Sequence, residues 1–222
     1  MTKKHDQKLL TALERLEKRK NTLLELGKKM LSAYGGNLYP VDLLAIGAIK
    51  RIVSMSGGII LLVNAFNMIC ARSLLRLQID TAIRFFAVFL VEKPHEFAMK
   101  ILGGEQINHM KDSSGKRMTD AYLVSKLAPE HPWLPDVYKN LSGYVHFSDK
   151  HLWTTVQNVD DNTHSVQYVI HEKDTKYPAF SWVEVVDCFN ECTDIFIKYL
   201  EGWIFTKANP KVVAEMKKKL MK

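Results

Sequence analysis

The sequence is short of the features that name a protein's chemistry outright. Cysteine occurs three times in 222 residues, at Cys70, Cys188 and Cys192, each inside an apolar segment and at no framework spacing. An odd, unpatterned set excludes a disulfide scaffold. Cys188 and Cys192 stand one helical turn apart with no histidine at a matching interval, which reads as reduced core thiols and no metal site. Eleven glycines and seven prolines are too few for a collagen-like or linker-like chain. Gly57-Gly58 and Gly103-Gly104 are lone pairs, not a phosphate loop, and no His-Glu-x-x-His or Gly-x-Ser-x-Gly pattern occurs. Long apolar runs are missing too. The uncharged, mostly apolar stretch Ile59 to Ala71 has 13 residues and contains Asn64 and Asn67, whereas a bilayer span takes about 20. The opening Met-Thr-Lys-Lys-His-Asp is too polar for a signal peptide. A cytoplasmic protein with no membrane partner and no cofactor is expected.

What is present describes a globular chain. Hydrophobic residues make up 47% and charged residues 25%, the ordinary balance of a soluble fold. The net charge of +7 is unevenly placed. Residues 1–30 hold nine Lys/Arg against four Asp/Glu, residues 207–222 hold six Lys against one Glu, and the stretch between is slightly acidic. Basic ends attract phosphate polymers or an anionic surface, although a solvated helix end has the same composition.

Periodicity predicts a mainly α fold: a bundle of four to five long helices with one β-hairpin before the last core helix. Residues 5–33 read as one helix with a seam of Leu9, Leu13, Leu16, Leu23 and Met30, which needs either the body or another chain against it. A Gly-Gly-Asn break leads to Pro40, where a second helix begins and runs to Ser56-Gly57-Gly58. A third is expected from Ile59 to Val91, apolar nearly all round and therefore central. Shorter helices follow at 95–102, 117–127 and 134–144. Residues 152–171 alternate around Asp160-Asp161-Asn162-Thr163 and read as a hairpin that should lean on the helices. The last core helix starts after Pro178, with an acidic face of Glu184, Asp187, Glu191, Asp194 and Glu201. Three parts result: 1–33, an amphipathic helix suited to pairing; 34–206, the bundle; and 207–222, a basic helix or tail. No internal repeat is found.

Two constellations carry chemistry. Arg72, Arg76, Asp80 and Arg84 are the charged residues between Gly58 and Val91, four apart each time, so they form one slowly turning stripe on an apolar helix. A guanidinium taken out of water needs an acid or equivalent acceptors. Asp80 stands four residues from both Arg76 and Arg84, whereas four residues either side of Arg72 stand Met68 and Arg76 and no acid. The stripe reads either as structural ion pairs between helices or as a phosphate or carboxylate site, which a guanidinium fork suits. The second constellation runs from Tyr138 to Ser148 and includes Lys139, Ser142, Tyr144 and His146. His146 closes a predicted helix, among hydroxyls and a lysine, where an imidazole could exchange protons or simply cap the helix.

Ala71-Arg72-Ser73-Leu74-Leu75 on one long helix, followed by Tyr138-x-x-Leu141-Ser142-x-x-Val145-His146 on a later one, resembles a group of bacterial helical proteins that are themselves similar to the HEPN superfamily. The resemblance covers residues 40–205. It implies a helical bundle, often dimeric, and in many members a metal-independent endoribonuclease of toxin–antitoxin, phage-defence or CRISPR systems. In those enzymes an Arg precedes a His by four to six residues, and both assist attack of the ribose 2′-hydroxyl on its phosphate. Here that window before His146 holds Asn140 to Ser142 and no Arg, and Lys139 lies one step beyond. The resemblance thus implies His146, Arg72 and Lys139 as catalytic groups, with Arg76, Ser142 and Tyr144 binding phosphate and Asp80 and Arg84 as structural ion pairs. The expected partners are RNA, a second copy of the chain and a protein partner. The competing reading is a non-catalytic helical scaffold that oligomerises.

Overall fold

The spacing of apolar side chains builds the expected mainly α architecture. A computed structural model describes residues 7–220. The opening hexapeptide, the first two residues of the expected helix 5–33 and the last two of the basic tail lie outside the described residues. In chain order the elements are α1 (Gln7–Ser32), α2 (Pro40–Asn64), α3 (Met68–Phe86), α4 (Pro94–Leu102), α5 (Asp120–Leu127), α6 (Leu134–Val145) and α7 (Asp149–Thr155). The hairpin β1 (Val156–Asp160) and β2 (Ser165–Tyr168) follows, then α8 (Ala179–Ala208) and α9 (Pro210–Leu220).

The four longest helices form a closed square. α1 packs on α2 and α8, and α3 packs on α2 and α8. The α1 seam is buried through Leu9, Leu16, Leu23 and Met30, with Leu13 half-buried, so the chain's own α2 and α8 fill it. On α8, Trp182, Phe189, Phe196 and Leu200 face the same core. Part of the acidic face of α8 has a partner inside the chain: Arg15 donates to Glu191 and Asp194 at 2.7 and 2.8 Å, and Arg19 forks onto Asp194 at 2.7 Å. α3 is central, as its sequence predicts, because α5 and α6 cover its outer side.

The boundary between α2 and α3 differs from the expected one. The helix continues through Gly57-Gly58 and ends at Asn64, so the apolar stretch is split between two helices. Gly58 is where α3 comes closest: a Cβ there would meet Leu74 Cδ2 at 3.1 Å. The stop lies at Phe66, in the left-handed region at φ 59°. Its N–H donates to Val63 O and that of Asn67 to Leu62 O, the paired bonds that finish a helix around a left-handed residue. Asn67 then caps α3 by accepting from Cys70 N at 3.0 Å. α2 is the one described helix long and apolar enough to cross a membrane by length and composition; here it packs on α1, α3 and α4.

The hairpin forms within the expected 152–171, although residues 152–155 belong to α7 instead, and Asp160 Oδ1 accepts from Asn162 N at 2.9 Å in its turn. It does not lean on the helices as expected: β2 is exposed along its whole length, as are Val159, Val166 and Tyr168. It is held at its base, where Val169 N donates to Thr155 O at 2.8 Å and Lys176 Nζ donates to Val156 O.

Candidate functional site

The arginine stripe of α3 meets α6, the start of α5 and the chain leading into α8. Its two halves are solved differently. Arg76 is almost fully enclosed, at 9% exposure. It donates to Asp80 Oδ1 and to the Tyr138 hydroxyl, with its guanidinium carbon 3.8 Å from the centre of the Tyr138 ring. Asp120, in the first turn of α5, stands 3.9 Å from Arg76 and takes Arg84 at 3.1 Å. Arg84 therefore pairs with Asp120 rather than with Asp80 four residues away, because α5 brings a carboxylate from outside the helix. Burial raises the Asp80 carboxyl above its ordinary pKa and outweighs the adjacent Arg76. Burial likewise pushes the Tyr138 phenol up to about 12, against the pull of Arg76. This half is an ion-pair network inside the fold.

Arg72 has no carboxylate partner among the described residues. Its guanidinium lies between two aromatic rings, 4.8 Å from the centre of Tyr144 and 5.0 Å from that of Tyr177, and donates to the Tyr144 hydroxyl. A guanidinium carries about five N–H donors, and no other hydrogen bond from it is formed among the described residues. Tyr144 is fixed by burial and by Ser73, whose hydroxyl donates to the Tyr144 carbonyl at 3.0 Å. Burial, then the hydrogen bond with Tyr144, lifts the Tyr177 phenol to about 12.

Tyr144 and Tyr177 line a cleft of 320 Å³ with Lys150, Trp153, Thr154, Asp174 and Lys176 on its rim. Trp153 and Lys176 are exposed and Lys150 is half-buried. Asp174 is the acid of the cleft and is engaged: its Oδ2 accepts from Met68 N at 2.8 Å and Ile69 N at 3.3 Å, capping the start of α3. The cleft thus forms where the α2–α3 corner, the α6–α7 corner and the segment before α8 converge.

The α6–α7 corner decides which histidine comes near. His146 is the C-cap of α6; its N–H donates to Ser142 O at 3.2 Å, its side chain is exposed, and it bonds neither Arg72 nor Arg76. Lys139 is exposed and has no ion pair among the described residues, and Ser142 donates back to Tyr138 O at 3.0 Å. The structure therefore joins Arg72 to Tyr144, and Arg76 to Asp80, without bringing His146 or Lys139 to either pair. His151 takes the nearer place. Its ring lies edge-on to Tyr144 at 6.2 Å and stacks on Phe147 at 5.6 Å. Its Nδ1 accepts from Ser148 N at 3.3 Å, while the Ser148 hydroxyl donates to Gly143 O at 2.7 Å. The signal was there in Ser148-x-x-His151, a capping box with an imidazole in the third helical position. Among the described residues no group of three His, Cys, Asp or Glu could hold a metal.

Comparisons with protein-family models, with curated proteins and with solved structures gave no match.

Proposed function

We propose that this protein binds RNA, with the sugar–phosphate backbone in the cleft beside Arg72. The observation that carries the reading is a half-buried guanidinium that no carboxylate answers among the described residues, held between two tyrosine rings next to a cleft edged by two lysines and a tryptophan. A phosphate supplies the missing charge and accepts from the unused N–H donors. Lys150 and Lys176 add backbone attraction, and the exposed Trp153 offers a face on which a base can stack. Arg76, already matched by Asp80 and Tyr138, belongs to the framework.

The test is the salt dependence of binding. Affinity for an RNA oligomer should fall steeply as salt rises, and Lys150→Ala with Lys176→Ala should flatten that slope by about two counterions. A flat slope for the unaltered chain rejects the reading. Cleavage is a separate question for the same cleft. Incubation of RNA in EDTA beside His151→Ala and His146→Ala assigns any strand scission to the histidine whose loss abolishes it.

A further inference from the structure

The opposite end of the molecule carries a surface that the cleft does not use. α8 begins beside the cleft and ends about 45 Å away, at 1.5 Å per residue. There α1 ends, α2 begins, and α9 follows α8 after the single residue Asn209. In sequence α9 holds four lysines against one glutamate, Glu215. Lys211, Lys218 and Lys219 are exposed. Val212 and Met216, four residues apart and so on one face, are 45% and 55% exposed. The helix meets the body along its neighbouring side, where Pro210, Val213 and Ala214 line a cleft of 340 Å³ with Tyr34 and Trp203.

The turn beside α9 has the same character. Leu31, Tyr34, Leu38 and Phe205 are exposed large side chains at this end, and Lys28 and Lys29 close α1. Acids here are few or engaged: Glu25 is paired with Lys28, and Asp42 is buried against Lys207. Exposed aliphatic side chains between lysines gain nothing from a polyphosphate, which needs cations and stacking faces. They gain a great deal from the boundary between lipid headgroups and acyl chains.

We propose that this end is a peripheral docking surface for an anionic lipid bilayer. α9 lies in the interface plane, Val212 and Met216 enter the acyl boundary, and the lysines meet lipid phosphates, with Tyr34 and Leu38 seated alongside. The contact is peripheral and asks no helix to cross the bilayer. The contact is independent of the RNA cleft.

The experiment is co-sedimentation of the full chain with vesicles of phosphatidylcholine alone or with about 30% phosphatidylglycerol. Binding to the anionic vesicles should be at least about tenfold stronger than to the neutral ones, and should weaken at roughly 0.5 M salt. Lys211→Glu, Lys218→Glu and Lys219→Glu together should abolish it. Val212→Asp with Met216→Asp should cut it about tenfold although every lysine remains. All these side chains are exposed, and the far-ultraviolet spectrum and melting temperature of each variant confirm that it folds. Equal binding to both vesicles, no binding to the anionic ones, or full binding by the Val212/Met216 variant overturns the proposal. So does a lysine variant that loses RNA affinity while the Val212/Met216 variant keeps it and RNA displaces the chain from vesicles, since α9 would then be a nucleic-acid contact.

Discussion

Arg72 and Arg76 stand one helical turn apart on α3 and face opposite energetics. Arg76 and Asp80 are both nearly enclosed, with side chains 11% and 14% exposed. Removing one member of such a pair strands the other, so Arg76→Met should cost about 3 kcal/mol in chemical denaturation. Arg72→Met leaves no carboxylate behind and exchanges ring contacts for an apolar side chain. Its stability should change by less than about 1 kcal/mol while RNA affinity falls about tenfold. Equal destabilisation by both substitutions would show Arg72 to be framework as well. The sequence displayed the stripe because a four-residue interval is a one-dimensional signal. It also showed that Arg72 has no acid one helical turn away on either side. It could not show that Tyr144 and Tyr177, 72 and 105 positions further on, would enclose that guanidinium. Nor could it show that the chain doubles back after Phe147, placing His151 rather than His146 beside Tyr144. Gly143 permits that corner, since a Cβ there would meet Lys150 Cγ at 3.0 Å and Ser148 Oγ at 3.1 Å.

Helices were legible wherever propensity and burial agreed, and hardest to bound where a tertiary contact decided. Gly57-Gly58 looks like a stop by local preference, yet the helix runs on because α3 presses against Gly58. The real stop is a phenylalanine in a conformation usually left to glycine, held by edge contact with Trp182 at 5.7 Å and by Asp174 N donating to Phe66 O at 2.7 Å. Both partners come from more than 100 residues away. Asp42 is similar. A carboxylate in the first turn of α2 suits the helix dipole, and its Oδ2 accepts from Tyr39 N at 2.8 Å. It also accepts from Trp203 Nε1 at 2.7 Å and from Lys207 Nζ at 2.8 Å, and Lys207 donates to Met30 O at 2.8 Å. Three helix ends are tied by one fully buried pair. Lys207→Met should therefore destabilise the bundle by about 3–5 kcal/mol, and Asp42→Asn by a comparable amount. The double variant should cost clearly less than the two combined, as a double-mutant cycle by urea denaturation would show; simple additivity would mean that the groups act independently.

At the scale of the whole molecule, titration should reveal where the fold holds protons differently from the unfolded chain. On the acid side the clearest group is Asp112. The Tyr122 hydroxyl bond, then those from Ser114 and Lys116, hold it down to about 2. A depressed carboxyl stabilises above its ordinary value of 3.8 and stops doing so as pH falls through about 2, so Asp112→Asn should flatten the acid limb of melting temperature against pH. On the alkaline side the sign is opposite in origin and the same in effect. Tyr138 and Tyr177 keep their protons to about 12 in the fold, whereas an unfolded phenol ionises near 10. Between those values the folded chain binds protons that the unfolded chain has released, so stability drops as pH rises. These two, with Tyr199, whose phenol burial also raises, should appear as a late phase in an ultraviolet titration of tyrosinate. Tyr138→Phe should remove part of that phase and lessen the alkaline loss of melting temperature. Tyr177→Phe should do the same and also weaken RNA binding, since the lost hydroxyl bonds Tyr144, which holds Arg72, whereas Tyr138 stands on Arg76. Loss of RNA affinity in Tyr138→Phe and not in Tyr177→Phe would move the nucleic-acid contact from the Arg72 cleft to the Arg76 network.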